Sequence, residues 1–115
     1  MNYRWELSDE AKEALDKQII WYESDEKRGG AGLADRWLEA FERACEKLVL
    51  NPLQCAFAPE NGKWQANIQI RQMLFRPWKS GVGWRVLYAI DDKQKLVSIL
   101  QIRHEHRRWL HENEE

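Results

Sequence analysis

Seven residues near the C-terminus, Arg103-His104-Glu105-His106-Arg107-Arg108-Trp109, gather three guanidiniums, two imidazoles and an indole. An unperturbed imidazole titrates near pH ~6.5, so either histidine can take or give a proton close to neutrality. Guanidinium groups hold anions through paired N–H donors. On a strand His104 and His106 are two apart and share a face, which is one geometry for metal ligation. No third ligand accompanies them, so no metal or other cofactor is expected. The alternative reading of the cluster is a solvated strand end. Arg107 and Arg108 read equally as phosphate contacts or as a wet edge.

These groups need a rigid support, and the preceding residues supply one. Trp84-Arg-Val-Leu-Tyr-Ala-Ile-Asp91 is rich in aromatic and β-branched residues and reads as a strand. Alternation sends Trp84, Val86, Tyr88 and Ile90 to one face, a ready core, and Arg85, Leu87, Ala89 and Asp91 to the other. Arg85 then stretches across the second sheet surface, its stem on apolar area and its head in water. Asp91–Gln94 is a polar turn, and Leu96–Ile102 is a nearly continuous apolar strand. The two form a central hairpin that runs directly into the polar cluster.

Upstream, Tyr3, Trp5 and Leu7 alternate with Arg4 and Glu6, predicting a short first strand. Ser8 is a suitable N-cap, with Asp9 and Glu10 in the first turn where the helix dipole favours acids. Ala11, Leu15, Ile19 and Tyr22 recur at helical spacing, so a first helix is predicted to about residue 25. Residues 26–32 (EKRGGAG) interrupt it. Their glycines fit neither phosphate-loop nor dinucleotide spacing and read as a hinge. Leu33, Trp37, Phe41, Ala44 and Leu48 mark a second helix, stopped by Asn51-Pro52. Residues 51–67 form a loop, and residues 68–75 (IQIRQMLF) are a third β segment. Trp64 and Trp78 flank turns, either as wedges on the core or as anchors for a partner. The order is β-α-α-β-β-β: an α+β domain over residues 1–115, with a helical hairpin covering one face of an antiparallel sheet and the other face partly open around Arg85.

The chain has 115 residues and a formal net charge of −1. Residues 1–60 carry 8 Lys/Arg against 13 Asp/Glu, whereas residues 61–115 carry 10 against 6, so the β-rich half is locally basic. That asymmetry hints at a phosphate or nucleic-acid surface, although a sequence pI of about 6.3 lies well below the usual basic footprint. No run of 18 apolar residues exists, and the first ten lack a secretory pattern, so a cytoplasmic protein without a membrane partner is expected. Cys45 and Cys55 read as free thiols.

Taken in order, several stretches resemble the RelE/ParE superfamily of toxins from type II toxin–antitoxin systems, a group that includes plasmid stabilisation proteins. They are Leu7-Ser-Asp-Glu-Ala-Lys-Glu-Ala-Leu15, Leu33-Ala-Asp-Arg-Trp-Leu-Glu-Ala-Phe41, Leu48-Val-Leu-Asn-Pro52, Ile70-Arg71, Arg85-Val-Leu-Tyr88 and the Arg103–Trp109 cluster. The resemblance implies a small growth-inhibiting toxin held silent by a cognate antitoxin encoded beside it. RelE-like members cut mRNA on the ribosome without a metal; ParE-like members poison DNA gyrase. In a nuclease, Arg85 and Arg103 would hold the scissile phosphate and His104 or His106 would act as acid or base. Trp109 would stack a base, and Lys63, Arg71, Arg107 and Arg108 would bind the target or nucleic acid. The chain departs from the RelE type by having Lys63 alone before the meander, Trp at position 109 and a slight net acidity. Those departures point to a ParE-like gyrase inhibitor, with a metal-independent mRNA endonuclease and a non-toxic binding module as alternatives.

Overall fold

The computed structural model describes residues 3–24, 27, 30–64, 67–78 and 83–105. The elements are β1 (Arg4–Leu7), α1 (Asp9–Glu23), α2 (Gly30–Leu48), a short 3-10 turn (Pro52–Gln54), β2 (Arg71–Phe75), β3 (Trp84–Asp91) and β4 (Leu96–His104). The expected order is therefore present. The third β segment is shorter at its start than the pattern suggested, and β4 is longer at its end, carrying its ladder to His104.

The sheet runs β1-β4-β3-β2. The last three strands form the expected antiparallel meander, but β1 lies parallel to β4, so the sheet is mixed. The crossover explains this: α1 and α2 return the chain across one face, which lets the first strand align with the last. The alternation of β3 holds. Trp84, Val86 and Tyr88 are buried with Val97, Ile99 and Ile102 against the helices, and Leu87 belongs to a second cluster on the opposite face with Ala58 and Ile70.

α1 forms where its signals place it, whereas α2 begins at Gly30 and takes in residues 30–32, which the glycine pattern had assigned to the hinge. Ser8 caps α1, its hydroxyl oxygen accepting from the Ala11 N–H at 3.1 Å. Ala11, Leu15 and Tyr22 are the buried stripe of α1. Gly30 opens α2 at φ 58°, a left-handed conformation that glycine adopts without penalty. Ala34, Trp37, Phe41, Cys45 and Leu48 form the buried face of α2. Trp37 stacks on Phe41 at 5.8 Å and meets Phe75 and Trp84 edge-on at 5.5 and 5.7 Å. Such pairs add roughly 0.5–1.5 kcal/mol each beyond area burial. Among the described residues no helix is long and apolar enough to cross a membrane.

Both cysteines are free. Burial, aided by Glu42 and Glu46, pushes the Cys45 thiol up to about 12. Its thiolate, the reactive form, is therefore scarce at pH 8. Half-buried Cys55 is expected to react first with a thiol-specific reagent in the native protein, and Cys45 only on unfolding; mass-resolved labelling checks the order.

The connection from β2 back to β3 ends at Gly83, whose N–H donates to Glu105 Oε2 at 2.7 Å. The same carboxylate pairs with Arg76 at 2.6 Å, so one acid joins the ends of three strands. A Cβ on Gly83 would lie 2.7 Å from Arg76 Cγ and 2.8 Å from the Phe75 carbonyl oxygen. Gly83→Ala is expected to destabilise by about 1–3 kcal/mol, the usual cost of overpacking. Thermal denaturation should show the midpoint falling by several degrees.

Candidate functional site

The register of the central hairpin brings the candidate residues together in two facing pairs. Arg85 lies opposite Arg103 and Trp84 opposite His104, on opposite faces of the sheet. A bulge between Leu87 and Tyr88 leaves Leu100 as an extra residue in β4. That one residue restores Ile102 and His104 to the helix side and puts Arg103 beside Arg85.

The face expected to be open is closed. Residues 56–64 fold over it, fixed by main-chain bonds of Ala58 N–H to Ile70 O and of Lys63 and Trp64 N–H to Glu60 O. Asn61 Oδ1 accepts from the Ile70 N–H at 2.8 Å, and Gly62 takes the positive φ of 76° that the turn requires. This flap delivers Glu60, fully buried, onto Arg85, which is 5% exposed. Arg85 Nη1 and Nη2 donate to Glu60 Oε1 and Oε2 at 2.9 and 2.7 Å, and Nη1 also donates to Gln72 Oε1 at 3.0 Å. Arg85 therefore does not spread over a wet sheet surface as its strand position suggested. A bidentate carboxylate neutralises it inside the protein. Sequence reasoning missed Glu60 because Pro59-Glu60-Asn61-Gly62 reads as an ordinary solvated turn; only the fold places it over β3.

Arg103 is also 5% exposed. His104 is half-buried and meets the Trp84 ring edge-on at 5.6 Å. Arg71 is turned toward the loop that leads into the flap, donating to the Leu53 and Cys55 carbonyls and lying 4.3 Å from the centre of the Phe57 ring. Lys63 is exposed on the flap. Trp64 packs partly against the Ala58–Ile70–Leu87 cluster, and Trp78 against the main core, its indole N–H donating to Tyr22 OH at 3.3 Å. Both are wedges in this structure. His106, Arg107, Arg108 and Trp109 lie outside the described residues. Among the described residues no three His, Cys, Asp or Glu side chains are grouped to hold a metal ion.

On the helix side a groove of about 930 Å³ runs between α1 and the end of β4. Its aromatic end is Trp21, Tyr22, Trp78 and Trp84; Glu10, Glu13 and Lys17 stand along its α1 wall, and Gln101–His104 form its floor. Nothing in the helical periodicity of α1 marked this face, because Glu10, Glu13 and Lys17 read as solvent-facing residues.

A chain of the RelBE2 toxin–antitoxin complex from Mycobacterium tuberculosis shares this fold, with 22% identity over 91% of this chain and 100% of that one and a TM-score of 0.53. A chain of the archaeal RelE–RelB complex from Pyrococcus horikoshii aligns over 94% of this chain and 100% of its own length, with 17% identity and a TM-score of 0.46. Among curated proteins none matches the sequence. Residues 5–109 match the family described as the ParE toxin of the type II toxin–antitoxin system, parDE. The chain belongs to that family and is a toxin of a type II toxin–antitoxin system.

Removing one partner of a buried ion pair leaves an uncompensated charge and costs about 3–5 kcal/mol, whereas replacing both by apolar residues is often neutral. Glu60→Ala is expected to lose stability on that scale, and the double variant Glu60→Leu/Arg85→Met to regain most of it. Urea denaturation of the two variants and the parent provides the comparison.

Proposed function

We propose that this toxin acts by binding a protein target, DNA gyrase, rather than by cutting RNA, and that a cognate antitoxin silences it. The observation that carries the reading is the Arg85–Glu60 pair. Phosphoryl chemistry on RNA needs cations presented to the phosphate as charge builds on its oxygens. Here the strand arginine is sheathed by a buried carboxylate, which would repel a phosphate brought to the same spot. Arg103 beside it is equally buried. The slight net acidity of the chain is also unlike a protein built to bind a ribosome, where phosphate neutralisation dominates affinity. The family match is to a ParE toxin and carries the toxin class, not the target. Partnering with an antitoxin is supported by that match and by the fold shared with a chain of a toxin–antitoxin complex.

Controlled expression without antitoxin decides the matter. The expected outcome is growth arrest with a DNA-damage response, intact mRNA ends and suppression by gyrase mutations. Discrete new mRNA ends within minutes of induction would establish the endonuclease reading instead, and undisturbed growth would leave a binding module without toxicity. In the gyrase reading Arg85→Ala weakens toxicity only in proportion to its loss of folded protein, measured by circular dichroism beside the growth curve.

A further inference from the structure

Acidic residues are spread unevenly along the chain. Between Glu46 and Asp91 the sequence holds a single acid, Glu60, against Lys47, Lys63, Arg71, Arg76, Lys79 and Arg85. Glu60 is fully buried and spent on Arg85. The surface built from this stretch, from the end of α2 through the flap to β2, therefore presents no carboxylate of its own to solvent. The same stretch exposes the large apolar side chains of Leu50, Leu53, Phe57 and Leu74. Apolar surface ringed by charge of one sign marks a place where another molecule is met.

β2 ends the sheet on this side, and its outer flank is covered only at its start. The Ala58 N–H donates to the Ile70 carbonyl at 2.9 Å and the Gln72 N–H to the Ala56 carbonyl at 3.1 Å, with Phe57 bridged to Arg71 between them. Residues 52–54 then turn away in the 3-10 turn, where Tyr88 OH donates to the Pro52 carbonyl at 2.6 Å. Main-chain groups alternate along a strand, so Leu74 turns its N–H and carbonyl to the same outer side as Gln72. Among the described residues no main-chain bond is made to them there. The Leu74 side chain, 54% exposed, stands on the loop side opposite Arg85. Arg71 meets two carbonyls and the Phe57 ring, contacts that leave its positive charge uncancelled.

We infer that this outer flank of β2 is the surface by which the toxin holds its protein target, taking an extended segment of that target as a further strand. The inference rests on the target reading above, in which the protein is gyrase. The outward main-chain groups of Leu74 reward strand addition, which a helix would not supply. Charge complementarity sets the side chains of the segment: cations without exposed acids among them call for Asp or Glu, and Leu53, Phe57 and Leu74 call for apolar residues between. A nucleic acid would match the cations but leave those apolar side chains against phosphate and water. A second copy of the chain would set one acid-free basic surface against another, and like charges across paired strands repel.

The test measures binding of the full-length toxin to purified gyrase. Leu74→Pro removes the outward N–H at a position where an edge strand tolerates proline. Phe57→Asp removes an apolar contact and places an acid beside Arg71. Each is expected to weaken the complex about tenfold or more, as loss of an anchor or reversal of a complementary charge does. Amide exchange of the wild-type complex needs no variant: the β2 segment around Leu74 should exchange about tenfold more slowly on binding, as an amide gains protection when its hydrogen bond opens less often. If gyrase does not bind the wild-type toxin, the target reading fails and this inference falls with it. If gyrase binds wild type and both variants alike, with exchange in β2 unchanged, only the β2 surface is overturned. An RNA oligonucleotide that bound wild type and neither variant would also overturn it, by making the face a nucleic-acid surface.

Discussion

The bidentate contact between Arg85 and Glu60 governs the loop-side half of this molecule. A charge buried in a sheet is tolerated only when a partner and hydrogen bonds replace the water it has lost. Glu60 is that partner, and it can reach Arg85 only if the chain from Phe57 to Trp64 folds back over β3. The main-chain bonds from Ala58 to Ile70 and from Gln72 to Ala56 bring the flap down. Gln72 adds a second acceptor from the edge strand. What a sheet of this size would otherwise expose as a wet second face becomes a second, smaller core around Leu87 and Ile70.

This arrangement separates two faces with different tasks. The helix side holds the aromatic core on Trp37 and opens a groove at its margin, where α1 diverges from β4. The loop side holds two arginines opposite one another, both buried, with the charge of Arg85 met by Glu60. A chain that presented those guanidiniums to solvent would suit a phosphate. One that sheathes them suits a protein partner met elsewhere on its surface.

Much of this was legible in the residues. The helical stripes of Ala11–Tyr22 and Leu33–Leu48, the Ser8 cap and the alternation of Trp84–Ile90 all follow from local periodicity, and the structure keeps them. The parallel pairing of β1 was not legible, since no local pattern records which distant strand an edge strand will join. Nor was the Glu60 contact, made between residues 25 apart in sequence, one of them in a turn whose composition signals solvent. The groove was hidden for a related reason. Its α1 wall is polar by pattern, and its floor exists only because β1 is shorter than β4.

The extra residue at Leu100 has a wider bearing. Side-chain parity along a strand is set by counting, and the bulge resets the count midway along β4. Upstream of it the odd-numbered Val97 and Ile99 face the helices; downstream the even-numbered Ile102 and His104 do. Loss of that single residue would exchange the inside and outside of the strand's last turns, driving Arg103 into the aromatic layer and expelling Ile102. The C-terminal end of the sheet is therefore constrained in length as tightly as in residue type.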